Sequence, residues 1–256
     1  MNRPTAMVLA APGTNRDHDV AFALGLAGAD SRVTLLGELL ARPALLGEVQ
    51  MLVVAGGFSY ADALGAGRMW SLALTHGVGD ALQSFVAAGD PVLGICNGFQ
   101  VLTGTHLLPG SLAHNESGHF QCEWVRLEAP ASRCVWTDAL DPVECPIAHG
   151  EGRYVHPDVA ALAAAGQVAL RYSPGHNPNG SAADIAGVCD PSGVVLGLMP
   201  HPENHVLHRQ HPRHTRHRQW AGPGPVRARC ALREGALRWT PSSMSICPSP
   251  TVATGR

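Results

Sequence analysis

Residues 91–102 read PVLGICNGFQVL, and the fold class turns on this stretch. A short apolar run ends at Ile95, glycines stand two residues before and after Cys96, and a helix-like run opens at about Asn97. Small residues on both sides of one cysteine suit a sharp strand-to-helix turn that projects the thiol outward, at the carboxyl end of a sheet. The first turn of the following helix offers unpaired N–H groups and a positive dipole end, both of which favour thiolate over thiol. Cys96 is therefore a candidate nucleophile, the other reading being a buried free cysteine.

Outward from the elbow, short apolar runs alternate with helix-like segments: AMVLAAPG, residues 19–28, RVTLL, MLVVAGG, residues 70–88, and PVLGI. Runs of four to six apolar residues closed by glycine fit strands buried on both faces of a parallel sheet. The expected fold is α/β, a doubly wound, mostly parallel sheet flanked by helices. Residues 119–128 and 134–147 alternate instead and are expected as antiparallel strands or a small antiparallel insertion, after which QVALRYS, DIAGVCD and VVLGLM return to strand-like runs.

Composition narrows the class further. The 256 residues are 45% hydrophobic and 15% charged, which excludes a wholly disordered chain. Seven cysteines show no CxxC and no zinc-module spacing, so neither a disulfide framework nor a metal site is expected. No secretory signal or membrane span is read, and a cytoplasmic address is the expectation. Up to Glu203 there are nine Arg against nineteen acidic residues; from Asn204 onward there are nine Arg against one Glu. The chain changes character there, and the expected division is a domain over 1–208 and an atypical, basic, disordered tail over 209–256.

A nucleophile needs a base, and the base an orienting group. GLMPHPE at 197–203 offers His201 and Glu203 two residues apart, where flanking prolines favour extended backbone and both side chains on one side. VVAGGFSY at 53–60 places a Gly-Gly pair after a buried strand, and the N–H groups of Gly57 and Asn97 are candidates for an oxyanion hole.

GGFSYADALGAG, LGICNGFQVLTGTHLLPGSLAHNES, PIAHGEGRY and NPNGSAADIAGVCDPSGVVLGLMPHPE together resemble the class I, triad-type glutamine amidotransferases, whose fold is flavodoxin-like. Within them the match is to the glutaminase subunits of phosphoribosylformylglycinamidine synthase, over about residues 5–203. The resemblance implies that Cys96 attacks the side-chain amide of glutamine, that His201 relays protons and that Glu203 orients it. It also implies that ammonia passes to a large synthetase subunit, often joined by a small bridging subunit. ATP and magnesium would be used by that partner, for formylglycinamidine ribonucleotide synthesis in purine biosynthesis, and no cofactor is expected in this chain. Gln100 is a candidate for contacting bound glutamine, or else a polar helix residue facing solvent. His149, Glu151 and Arg153 in AHGEGRY are candidates for substrate or partner docking, or else a plain polar loop.

The sequence departs from the family at Ala55, where proline is usual, at Ala61, where glycine is usual, and at Asn204, where arginine is usual. Beyond about 209 the ending is expected to be an altered reading frame or an acquired extension. After Glu203, His205, His208, His211, His214 and His217 recur every third residue, but Pro212 interrupts any helix that would align them on a metal. Nucleic-acid binding by the arginines is not expected, for want of a recognisable module. The competing functions are another Cys-His-Glu elbow hydrolase, of γ-glutamyl hydrolase or peptidase type, and a non-catalytic binding module on the same fold.

Overall fold

The computed structural model describes residues 3–215. In chain order these form β1 (Thr5–Ala10), α1 (Asp17–Ala27), β2 (Asp30–Leu35), α2 (Leu36–Ala41), β3 (Met51–Val54), α3 (Arg68–Ala87), β4 (Val92–Ile95) and α4 (Asn97–Gly104). Next come β5 (Ser111–Ala113), β6 (Gln121–Glu128), β7 (Val143–His149), β8 (Arg153–Val155), α5 (Val159–Ala164), β9 (Val168–Tyr172), β10 (Ile185–Cys189) and β11 (Val195–Leu198).

Nine of these strands join one sheet in the order β2-β1-β3-β4-β11-β10-β9-β6-β7. β2, β1, β3, β4 and β11 run parallel, and the rest extend the sheet antiparallel. The alternating segments therefore lengthen the main sheet, while β5 and β8 form a separate two-stranded antiparallel ribbon. Burial explains the sequence pattern: every residue of β3 is buried, whereas edge strand β2 buries only Thr34 and leaves alternate positions exposed. The β1-to-β2 and β3-to-β4 connections step in opposite directions, so right-handed crossovers put α1 and α3 on opposite faces. No helix among the described residues is long and apolar enough to cross a membrane.

The packed body does not stop at residue 208. His211 is only 3% exposed and bonds Glu144, so the expected boundary is corrected to lie beyond it. The reason is aromatic: the side chain of Trp124 on β6 gives the segment a surface to bury against. The expected disorder and altered frame of the later tail, and His217, lie outside the described residues.

Candidate active site

Three adjacent parallel strands deliver the candidate groups. β3 ends into Gly56-Gly57, β4 into Cys96, and β11 into the His201 segment, with Val54 opposite Gly94 and Ile95 opposite Leu198. Cys96 sits at φ 50°, ψ −104°, a strained conformation for a residue with a side chain. Its N–H donates to the Leu198 carbonyl at 2.8 Å, and its own carbonyl accepts from Phe99 and Gln100 as α4 begins. Those bonds fix the elbow and help offset a strain of about 1–3 kcal/mol. Gly98 is required by close approach, since a Cβ there would overlap the Val54 carbonyl.

His201 and Glu203 come together by a different route from the extended one expected. Pro202–Asn204 forms a 3₁₀ turn, and within it His201 Nδ1–H donates to Glu203 Oε1 at 2.6 Å. Both side chains are buried, at 5% and 2% exposure. His201 N–H donates to the Pro146 carbonyl on β7 at 2.8 Å, and the imidazole lies close enough to the Cys96 side chain to feel its charge. Burial pulls the imidazole toward neutrality, but the Glu203 carboxylate and Cys96 outweigh it and hold its pKa well above 6.5. Glu203 lines an apolar cavity of about 150 Å³ with Val20, Leu24, Trp136, Val143 and Val206, surroundings that strengthen its pull on the imidazole. The second carboxylate oxygen of Glu203, Oε2, is buried without a hydrogen-bond partner.

Gly57, at φ 142°, bridges Thr14, and the bond beside that bridge is donated by Phe58 N–H to the Gly13 carbonyl at 3.2 Å. In such a pair the Gly57 N–H points away from Thr14. Asn97 opens α4, so its N–H has no intrahelical acceptor. The Asn97 side chain accepts from Ser59 N–H at 3.3 Å and donates to Gln100 Oε1 at 2.9 Å, tying elbow to glycine loop. Gln100 in turn donates to the Glu151 carbonyl at 2.7 Å and is only 8% exposed. The solvent-facing alternative for Gln100 is thereby corrected: both ends of its amide are engaged in bracing the site.

The AHGEGRY candidates divide. His149 is 2% exposed and cannot dock a partner, a correction with a clear cause. Its Nδ1–H donates to Asn115 Oδ1 at 3.1 Å, and Asn179 approaches Nε2 at 3.5 Å. Asn179 also donates to the Gly152 carbonyl and to the Tyr172 hydroxyl, closing a buried polar network. Burial, with the charge of His201 added, pushes the His149 pKa down to about 4. Glu151 accepts from Ala66 N–H at 3.4 Å, which anchors the loop before α3. Arg153 is partly exposed, and its buried Nε lacks a partner. Sequence reading missed Ala148, whose carbonyl lies 3.8 Å from Cys96 Sγ, because a backbone contact leaves no mark on residue type. It also missed Asn115 and Asn179 as the scaffold behind the site. Among the described residues no group of three or more His, Cys, Asp or Glu is placed to hold a metal ion.

A family model described as the CobB/CobQ-like glutamine amidotransferase domain matches residues 3–239. That span runs past Glu203 and corrects the expectation that the family match ends there. Phosphoribosylformylglycinamidine synthase subunit PurQ of Treponema denticola is 43% identical over 244 residues, covering 81% of this chain and 90% of that protein. The PurQ subunit of Frankia casuarinae is 46% identical over 200 residues, covering 76% and 82%. The structure of PurLQS from Thermotoga maritima superposes with a TM-score of 0.71 at 35% identity, covering 83% of this chain and 94% of that one.

Proposed function

The chain belongs to the glutamine amidotransferase family, in its PurQ group, and on that premise we propose how its own residues run the glutaminase reaction of phosphoribosylformylglycinamidine synthase. The protein hydrolyses glutamine to glutamate and ammonia. The ammonia serves the ATP-dependent conversion of formylglycinamide ribonucleotide to formylglycinamidine ribonucleotide in purine biosynthesis, on a large synthetase subunit with which this chain associates. A small bridging subunit, ATP and magnesium on the partner, and a cytoplasmic address belong to the same reading.

The observation that carries the residue roles is the strained Cys96 beside a buried His201 that Glu203 holds at 2.6 Å. Cys96 Sγ, its proton held by His201, attacks the amide carbon of glutamine, and the carbonyl electrons move onto oxygen. The N–H groups of Gly57 and Asn97 receive that oxyanion. Collapse breaks the C–N bond, the His201 proton goes to the leaving nitrogen, and ammonia departs from a glutamyl thioester. Water then attacks the thioester with His201 as base, and glutamate leaves as the thiol regains its proton. Glu203 keeps the imidazole in one orientation and stabilises its charged form throughout.

The test is Cys96→Ala in the complex assembled with the synthetase subunit. Glutamine-dependent synthesis should vanish while synthesis from added ammonium persists. Equal loss with both nitrogen donors would refute the assignment.

A further inference from the structure

We propose that residues 204–215 form a clasp that positions His201 over Cys96, with Trp124, Glu144, His205 and His211 as its positioning residues. The proposal rests on the glutaminase reading. His201 has no strand of its own: β11 ends at Leu198, and the chain beyond it is turn and loop. Its backbone is tied to the sheet by the bond to the Pro146 carbonyl on β7, while its own carbonyl accepts from Asn204 N–H within the turn. Two residues back along the same strand, the Glu144 carbonyl accepts from His205 Nδ1–H at 2.5 Å. The triad turn is thus held at both ends against alternate residues of β7.

The rest of the segment locks that second pin. Gln210 Oε1 accepts from Val206 N–H and Leu207 N–H at 2.8 and 2.6 Å, closing a turn that brings His211 back to the sheet. His211 Nε2–H then donates to the Glu144 carboxylate at 3.0 Å, and Arg126 and Arg213 approach the same carboxylate at 3.8 and 3.7 Å. Trp124 sits edge-on to both imidazoles, with ring centroids 4.9 Å from His205 and 4.7 Å from His211. Aromatic pairs at such separations add attraction beyond their burial. Burial favours the neutral form of His205, which keeps an Nδ1–H donor and an uncharged ring against Trp124. On the other side, Asn204 donates to Asp19 on α1 at 3.1 Å. The four described histidines of the repeat divide: His205 and His211 turn inward, while His208 and His214 pair with each other outside.

A base held a fraction of an ångström off line loses rate without losing substrate. In the assembled complex, Trp124→Ala and Glu144→Ala should each lower kcat for glutamine about tenfold or more, with KM within about twofold. Ammonium-dependent synthesis should be unchanged. The His201 imidazole, followed by NMR, should titrate closer to 6.5 in both variants, because its contact with Glu203 and Cys96 loosens. Trp124→Phe and Glu144→Gln, which keep a ring and an acceptor, should recover most of kcat. Unchanged kcat, or a lowered kcat with His201 titrating as in the parent, would overturn the clasp. The Cys96→Ala result reads the glutaminase assignment separately.

Discussion

Ile95 and Leu198 are register partners on adjacent parallel strands, and Leu198 accepts the Cys96 N–H at 2.8 Å. Nucleophile and base therefore leave the sheet along one hydrogen-bonded seam and act as one device. Cys96→Ala, His201→Ala and the double variant should all lose glutamine-dependent turnover to a similar extent, at least about a thousandfold, because members of such a unit are not additive. Steady-state assays of the three proteins check this. A double variant far worse than either single would show that the residues serve separate steps.

Gly98 lies where α4 crosses the end of β3. Gly98→Ala must push the helix away from the Val54 carbonyl, an overpacking that should cost about 1–3 kcal/mol and displace Cys96 with it. Urea denaturation and glutaminase assays should both register the change, whereas Gly25→Ala, inside α1 with open space around its Cβ position, should leave activity as it was.

His149 and His201 bear opposite linkage signs. The His149 pKa is about 4 in the fold against the ordinary imidazole value of 6.5, so the unfolded chain binds the proton first as pH falls. Its contribution is whole above pH 6.5 and is lost on acidification toward 4, by on the order of 3 kcal/mol. His201 is raised, so its contribution is whole below 6.5 and is lost as pH climbs through its folded value. Chemical denaturation across about pH 4–8 should show a limb between 4 and 6.5 that flattens in His149→Gln. A limb of equal slope in that variant would place the acid loss elsewhere.

Tyr60, Ala61 and Asp62 occupy the left-handed region in succession, at φ 54°, 54° and 52°. At Ala61 a side chain in that region costs about 1–2 kcal/mol. Ala61→Gly should therefore stabilise the protein, by up to about 1 kcal/mol after the greater freedom of glycine in the unfolded chain is set against it. Calorimetry should find a higher melting temperature. A lower one would mean the left-handed run is not strained at Ala61.

The elbow, the contact of His201 with Glu203 and the parallel half of the sheet were legible because each depends on short-range chemistry: glycines about Cys96, apolar runs before turns, and a histidine between two prolines with a glutamate directly after them. Long-range partners left no such mark. Nothing in AHGEGRY distinguishes the buried His149 from the partly exposed Arg153, since what separates them is Asn115 and Asn179 arriving from elsewhere in the chain. The alternating segments announced antiparallel strands but could not say that β6 and β7 would extend the main sheet. The histidines after Glu203 looked like solvated tail because the ring that buries two of them, Trp124, belongs to a distant strand.

β11 is the last strand among the described residues, yet it lies between β4 and β10. During synthesis on the ribosome, the parallel and antiparallel halves must wait with open edges for the strand that joins them. Such edges invite pairing with other chains. The same order withholds the base: a nascent chain can present the Cys96 thiol long before it has anything to accept the proton. Glutamine is thereby safe from incomplete molecules, at the expense of a folding step that cannot proceed from one end of the chain to the other.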